Sequence, residues 1–295
     1  MADTGNSVIL FFVDGLGIGR RADENPLWQC DAGPLAHFED EESGVEFGGF
    51  LARTDATLGV EGRPQSASGQ TTILTGINAP KRLGRHKQGF PNEPLKEIIR
   101  EHSIFKRLVE SGNTPSLFAN AYTPQFFEGT PRWKSATTFA VESAGIPFRK
   151  IPDLLGRRSV FHDFTNRSLR ERGFDVPEFS PGDAAEILAG LAKDSRFVLY
   201  EHFITDKIGH DQDMDRAKVH LPELASFLRK TVEYSDLSRT TVILTSDHGN
   251  VENLSVRNHT LNKVPTVIWG RRAEESADKV RDLTDIAPLV RELLA

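Results

Sequence analysis

The chain has 295 residues, enough for one large domain or two small ones. Its formal net charge of −6 argues against a broad nucleic-acid-binding surface, and its single cysteine, Cys30, excludes an intrachain disulfide and a thiolate zinc cluster. No stretch is apolar enough to span a membrane, and the N-terminal segment is short and polar. We therefore expect a cytoplasmic protein without a nucleic-acid or membrane partner; its oligomeric state is left open.

Strand-like and helix-like segments alternate along the chain, which predicts an α/β fold: a largely parallel central sheet with helices on both faces. The predicted strands, in chain order, are 7–13, 114–121, 197–203, 240–245 and 264–269. The predicted helices are 94–101, 104–110, 184–192, 216–228 and 286–294. Because no internal repeat or long linker interrupts this alternation, residues 1–295 are predicted to form a single domain.

Aspartate and histidine side chains recur where the predicted strands begin or end. The six residues are Asp14, Asp206, His210, Asp247, His248 and His259. Because the carboxyl ends of parallel strands share one edge of a sheet, we expect all six to converge there. Mixed oxygen and nitrogen ligands suit divalent metals, and six are enough for two ions. One such residue alone is more typical of a turn, a helix cap or a satisfied core residue, so the metal hypothesis depends on the full set.

A run of small residues from Gln65 to Gly76 predicts a helix that begins near Ser66 and ends at Gly76. A hydroxyl at a helix N-terminus lies beside unpaired backbone N–H groups and the positive end of the helix dipole, an environment that favours an alkoxide and binds phosphate. Ser66 is therefore a candidate nucleophile. The alternative is a serine that only caps a buried helix.

The segment from about residue 120 to 177 is the least regular part of the chain and is rich in Arg, Phe, Thr and Pro. Two interpretations stay open. It forms a small lid or a set of loops over the active edge of the sheet, or it is an ordinary peripheral excursion.

Taken together, these motifs resemble the alkaline phosphatase superfamily, and within it the branch of cofactor-independent phosphoglycerate mutase and phosphopentomutase. The resemblance covers about residues 8–76 and 200–270. In that branch a core strand ends in Asp-Gly, as at Asp14, and the nucleophile lies ten residues before a helix-ending Gly, as Ser66 does before Gly76. The later ligand motifs match as well: Asp-x-x-x-His at Asp206 and His210, Asp-His-Gly-Asn at Asp247 and His248, and a final His at His259.

The resemblance implies two divalent cations, Mn²⁺ or Zn²⁺, and a small phosphorylated substrate. Asp14, Ser66, Asp247 and His248 would hold one cation, and Asp206, His210 and His259 the other. Ser66 would attack phosphorus and form a phosphoserine intermediate. Transfer of the phosphoryl group to water makes the enzyme a hydrolase, which we favour. The alternatives are a phosphomutase acting on a small phosphorylated metabolite and a non-catalytic metal-binding relative.

The chain departs from the mutase pattern in two places. Gln70 follows Gly69 where the mutases usually carry a His, and the stretch from Gly76 to Phe197 is too short for their large second domain. Both departures count against the specific mutase activities. A sulfatase is disfavoured because the sequence after Ser66 lacks the Arg of the sulfatase motif.

A phosphate substrate usually needs an additional cation from the protein. Arg85 and Lys87 follow the nucleophile helix, and Arg132 and Lys134 lie in the irregular segment. The alternative for each of these residues is a solvated surface charge.

Overall fold

The computed structural model describes residues 5–40, 45–128 and 133–295. Six strands form the central sheet in the order β2-β8-β7-β1-β6-β3, and two more, β4 and β5, form a separate small sheet. The strands are β1 (Ser7–Val13), β2 (Phe50–Thr54), β3 (Ser116–Phe118), β4 (Ala121–Tyr122), β5 (Arg149–Lys150), β6 (Phe197–His202), β7 (Thr240–Thr245) and β8 (Val264–Trp269).

Helices precede, connect and follow these strands. They are α1 (Pro26–Gln29), α2 (Ser66–Thr75), α3 (Ala79–Leu83), α4 (Glu93–His102), α5 (Ile104–Glu110), α6 (Pro124–Phe127), α7 (Ala136–Ser143), α8 (Ile151–Leu155), α9 (Arg167–Glu171), α10 (Pro181–Lys193), α11 (Ile204–Asp211), α12 (Met214–Tyr234), α13 (Ala273–Lys279) and α14 (Ile286–Leu294). Within the described ranges, none of these helices has the length and apolarity that a membrane crossing requires.

The sheet is largely parallel, as the alternation of elements predicts. β1 pairs in parallel with β6 and β7, and β3 pairs in parallel with β6. One strand departs from that pattern: β8 runs antiparallel to both of its neighbours, β7 and β2. The expectation of one long strand at 114–121 is wrong in detail, because β3 ends at Phe118 and Ala121–Tyr122 pairs instead with β5.

The core lies on both faces of the sheet, so the predicted fold class is confirmed. Every residue of β1 is buried, and alternate side chains point to opposite faces. Ile9 and Phe11 belong to the apolar cluster that includes Leu188 of α10 and Phe227 of α12. Residues 8 and 10 belong to the cluster on the other face, which includes Val290 of α14. A strand covered on both sides becomes a continuous apolar run, which is the pattern that made it predictable.

The six predicted helices are present, with α2 beginning at Ser66 as predicted, and their ends follow local capping chemistry. α5 and α14 have the predicted bounds, while α4, α10 and α12 extend beyond them. α10 begins early because Ser180 and Asp183 form a reciprocal capping box around Pro181.

Candidate metal centre

All six predicted Asp and His residues lie at one edge of the sheet. Asp14 directly follows β1, Asp247 and His248 directly follow β7, and α11 carries Asp206 and His210 just after β6. His259 precedes β8 instead of following a strand. Because β8 is antiparallel to β7, its starting end lies at the edge where β7 finishes, and His259 therefore reaches the same site.

Asp206, His210 and His259 form the first cluster, here called the Asp206 cluster. The Nε2 atoms of the two histidines lie 3.2 Å apart, and each is 3.4 Å from a carboxylate oxygen of Asp206. A tetrahedral ion with bonds of about 2.0–2.1 Å separates its ligand atoms by about 3.3 Å. His210 contacts Oδ2 of Asp206 and His259 contacts Oδ1, so the three side chains are close enough to bind one divalent ion together.

Backbone carbonyls orient both histidines of the Asp206 cluster. The carbonyl of Arg257 lies 2.8 Å from Nδ1 of His210, and the carbonyl of Pro64 lies 2.8 Å from Nδ1 of His259. A carbonyl only accepts, so each Nδ1 carries the proton, and in the neutral ring Nε2 presents its lone pair to the cluster. This is how metal-binding histidines are held in the ligating tautomer.

Asp14, Asp247 and His248 form the second cluster, here called the Asp14 cluster, with ligand atoms within 4.8 Å of one another. Nε2 of His248 lies 3.3 Å from Oδ1 of Asp14 and 3.6 Å from Oδ2 of Asp247. All three residues are buried, and Oδ1 of Asp14 has no hydrogen-bond partner among the described residues. A buried carboxylate oxygen without a donor fits a cation at this position.

The electrostatics of the two clusters differ. Burial, followed by the neighbouring charges of Asp247 and Asp206, raises the pKa of Asp14 well above its ordinary value. Burial and the charge of Asp206 likewise raise the pKa of Asp247 to about 7. Burial also acts on Asp206, but its hydrogen bonds with His210 and His259 prevail and hold its pKa below the ordinary range. The pKa values of the two carboxyl groups in the Asp14 cluster are therefore raised, whereas that of Asp206 is lowered.

Ser66 is the first residue of α2, and its half-buried hydroxyl faces the Asp14 cluster. Its Oγ lies 3.0 Å from Nε2 of His248. The competing hydroxyls are engaged elsewhere: Thr71 and Thr72 donate to backbone carbonyls within α2, and Ser68 donates to the carbonyl of residue 65. Of Ser66, Ser68, Thr71 and Thr72, Ser66 is the residue whose hydroxyl faces the clusters.

Comparison with known proteins agrees with this geometry. A model of the metalloenzyme superfamily matches residues 179–295, the part that carries Asp206, Asp247 and the three histidines of the clusters. The fold resembles the PH0037 protein from Pyrococcus horikoshii (TM-score 0.54, 14% identity, 98% of this chain and 97% of that one) and a cold-active alkaline phosphatase from a psychrophilic Shewanella species (TM-score 0.54, 11% identity, 98% and 100%). At these identities the likeness is one of fold.

Two curated relatives are 2,3-bisphosphoglycerate-independent phosphoglycerate mutases. The protein from Haloquadratum walsbyi is 34% identical over 154 residues, which cover 48% of this chain and 31% of the relative. The protein from Sulfurimonas denitrificans is 28% identical over 129 residues, which cover 41% and 26%. The chain thus matches a quarter to a third of the length of these relatives.

The family match over residues 179–295 and the fold likeness to an alkaline phosphatase together support membership in the alkaline phosphatase superfamily. The match to a metalloenzyme family implies divalent metal binding. In each of two groups the ligand atoms lie within 4.8 Å of one another, and these groups are the candidate sites: Asp14, Asp247 and His248, and Asp206, His248 and His259. His210, within 3.4 Å of Asp206, adds to the second group. The likeness to mutases lies in a shared part of the chain and does not extend over the whole of those enzymes.

Gln70 is a site residue that the sequence reasoning did not identify. It occupies the position where the mutases of this superfamily usually carry a His, and its amide Nε2 lies 3.3 Å from Oδ2 of Asp14 and 3.4 Å from Oδ2 of Asp247. The amide donates to both carboxylates of the Asp14 cluster. Gly69 allows this approach, because a Cβ there would lie 2.9 Å from Asp247. Gln70, the residue that departs from the mutase pattern, thus contacts the Asp14 cluster.

Glu252 joins three loops of the site and was also missed. Its buried carboxylate accepts hydrogen bonds from the amide N–H of Gly17 (3.1 Å) and of Asn250 (2.7 Å). It also accepts from the hydroxyl of Thr260 and the side-chain amide of Asn262. These donors lie in the loops that carry Asp14, His248 and His259. One carboxylate therefore sets the spacing between ligands of both clusters.

A cavity of about 510 Å³ opens beside Ser66, Asp14 and Asp206. Among its described lining residues the cations are Arg172 and Lys207. Burial lowers the pKa of His162, another lining residue, to about 4, and the charges of Lys207 and Arg172 act in the same direction. Lys207 directly follows Asp206 in the sequence, and this adjacency could have identified it as a cation of the site.

Of the four cations proposed from the sequence, the three that the structure describes do not line the cavity. Arg85 is exposed, and the ammonium of Lys87 donates to the carbonyl of the next residue at 2.6 Å. Neither is among the described residues that line the cavity. Lys134 pairs with Glu142 at 2.7 Å, and Arg132 lies outside the described residues.

We expect Glu252→Gln to destabilise the fold by about 2–4 kcal/mol, because the new amide group would face donors that now need an acceptor. We also expect it to weaken divalent-metal affinity by about tenfold or more, because the loops that hold the ligands lose their common partner. Thermal unfolding with a chelator measures the first effect, and calorimetric metal titration of the folded variant measures the second. Glu24→Gln, at an exposed glutamate near the same loops, is the matched control. A variant with wild-type metal affinity would show that Glu252 does not position the ligands.

Proposed function

We propose that the chain is a metal-dependent phosphoester hydrolase that works through a phosphoserine intermediate. The observation that carries this proposal is the position of Ser66, whose Oγ lies 3.0 Å from Nε2 of His248 at the mouth of the Asp14 cluster. The hydroxyl lines the 510 Å³ cavity together with Asp14 and Asp206, so a substrate in that cavity meets the nucleophile and both clusters.

In the proposed reaction, Ser66 Oγ passes its proton to solvent water and forms a bond to phosphorus. The bond from phosphorus to the ester oxygen breaks, and the alcohol leaves with a proton from water. Water then attacks the phosphoserine, which releases inorganic phosphate and restores the hydroxyl. When bound, two divalent ions, Mn²⁺ or Zn²⁺, lower the pKa of the serine hydroxyl and offset the charge on the phosphoryl oxygens. We assign one to Asp14, Ser66, Asp247 and His248, and the other to Asp206, His210 and His259.

The chain's own groups support the same reaction. No side chain caps the start of α2, so its first N–H groups and the positive end of its dipole lie beside Ser66. Burial and the charge of His259 lower the pKa of His248 to about 3, so its ring is neutral at physiological pH and offers a lone pair. Lys207 and Arg172 add positive charge at the cavity wall, which attracts an anionic substrate.

A phosphomutase is the second candidate, and the curated relatives are the observation that favours it. A mutase must retain the dephosphorylated alcohol and present a second hydroxyl to the phosphoserine, which calls for polar groups that hold it. The described lining includes many aromatic residues. We therefore favour hydrolysis, with segment 120–177 acting as a wall of the cavity within one domain.

We expect the purified protein to bind close to two divalent ions per chain. His248→Ala and Asp206→Ala should each lower that number, because each removes a ligand from one cluster. Elemental analysis of dialysed protein is the measurement, and His102→Ala, at a histidine of α4 outside both clusters, is the control. Full occupancy in both variants would refute the assignment of two sites.

We expect Ser66→Ala to lower hydrolysis of a phosphate ester by at least about a thousandfold, since covalent catalysis needs that oxygen. Metal content should fall only moderately because the carboxylate and imidazole ligands remain. Steady-state release of inorganic phosphate, with mapping of a trapped phosphopeptide, is the measurement, and Ser68→Ala is the matched control. Near-normal turnover in Ser66→Ala, or phosphate found on Ser68, would contradict the proposal. Conversion of a phosphorylated metabolite to its isomer without phosphate release would favour the mutase instead.

A further inference from the structure

The walls of the cavity beside Ser66 are aromatic as well as charged. Among the described residues, six phenylalanine and tyrosine rings line it: Phe90, Phe118, Tyr122, Phe126, Phe161 and Phe203. Three of them, Tyr122, Phe126 and Phe161, come from the irregular segment, whereas Phe203 directly follows β6, close to Asp206. Half of the aromatic wall therefore comes from a part of the chain that supplies no residue to the clusters.

The first group of rings centres on Tyr122. Its ring centroid lies 4.4 Å from that of Phe126 and 6.1 Å from that of Phe118. The hydroxyl of Tyr122 forms a 2.7 Å hydrogen bond with the hydroxyl of Thr138. Because that polar atom already has a partner, Tyr122 contributes chiefly its ring to the cavity.

The second group centres on His162. Its ring lies 4.2 Å from that of Phe161 and 4.4 Å from that of Phe203. The ammonium of Lys207 lies 4.8 Å from the centre of the Phe203 ring. The positive charge of this wall thus lies directly against an aromatic face, an arrangement that also suits a bound ring.

Several polar groups of the wall already have partners, although Nδ1 of His162 has none among the described residues. The side-chain amide of Asn120 donates to the backbone carbonyl of Glu201 at 2.7 Å and accepts from its backbone N–H at 3.0 Å. The hydroxyl of Ser135 lies 2.9 Å from that of Thr138. Groups that are already paired contribute little to the recognition of a polyol, whose hydroxyls need partners of their own.

We propose that the cavity binds the alcohol part of its substrate as a flat apolar ring, so that the substrate class is phosphate monoesters of aromatic alcohols rather than of small polyols. The inference rests on the proposed function, because Ser66 is taken as the group that attacks the phosphoryl end. A cavity of about 510 Å³ has room for a phosphoryl group and a ring together.

The test compares benzyl phosphate with ethyl phosphate. Their leaving alcohols are of similar acidity, so a difference in kcat/KM reports on binding of the ring and not on the chemistry of the leaving group. We expect benzyl phosphate to be favoured by at least about tenfold. Cyclohexylmethyl phosphate, which is apolar but not flat, should fall clearly below benzyl phosphate. Equal kcat/KM for the benzyl and ethyl esters would overturn the inference while leaving the hydrolase proposal intact.

Substitution of a lining residue identifies the part of the cavity that produces the preference for benzyl phosphate over ethyl phosphate. Phe126→Ala should reduce the benzyl-to-ethyl ratio severalfold, because the half-buried ring of Phe126 forms part of the cavity wall. Phe50→Ala is the matched control: Phe50 lies on β2, at the opposite end of the sheet from β3, and should leave the ratio unchanged. A ratio that Phe126→Ala leaves at the wild-type value would remove this ring from the proposed site and overturn the inference.

Binding of benzylphosphonate and ethylphosphonate to the metal-loaded protein, measured by calorimetry, separates the two proposals because it needs no turnover. If no phosphate ester is hydrolysed but benzylphosphonate binds at least about tenfold more tightly, and Phe126→Ala removes the difference, ring recognition stands and the hydrolase proposal fails. If the two phosphonates bind equally, ring recognition fails whatever the enzyme hydrolyses.

Discussion

Acceptor groups that repel one another converge at the carboxyl edge of the sheet, and the rest of the site exists to hold them there. Asp14 and Asp247 are buried side by side, which raises the pKa of both carboxyl groups, burial being the larger cause. In the other cluster, two imidazole Nε2 atoms lie 3.2 Å apart. Without stabilising contacts, these carboxylates and imidazoles would take up protons, or their side chains would move apart. Gln70, with its amide on both carboxylates, and Glu252, with donors from three loops, keep them in place. A bound cation would offset the repulsion between these carboxylates and imidazole nitrogens.

The sequence was most informative where burial dictates the pattern. β1, β6 and β7 are covered on both faces, so each is a continuous apolar run, and the ligand residues stand directly after them. His259 shows the limit of that reasoning. It was expected at the edge on the premise of parallel strands, yet a residue before a parallel strand would lie at the opposite edge. It reaches the site only because β8 is antiparallel, and strand direction depends on tertiary pairing that no local pattern reveals.

Residues that act through contacts distant in sequence could not be predicted from local pattern. The cations proposed from proximity along the chain, Arg85 and Lys87, follow a helix that ends in a left-handed glycine, Gly84, and they do not line the cavity. Arg172 does, although it lies far from every motif, because folding brings the irregular segment over the sheet edge. Glu252 resembled an ordinary loop glutamate. Only the structure shows four donors converging on it, and the identity of those donors depends on three separate loops.

The division between chemistry and recognition limits what relatives reveal about the substrate. The metalloenzyme superfamily model covers residues 179–295, which contain Asp206, His210, Asp247, His248 and His259. The rings of Tyr122, Phe126 and Phe161 lie outside that match, and the mutases are matched over only a quarter to a third of their own length. The family match thus covers the part of the site that carries five of the six Asp and His residues. Of the six rings of the aromatic wall, only Phe203 lies inside the match, so the choice of substrate has to be argued from the aromatic wall itself.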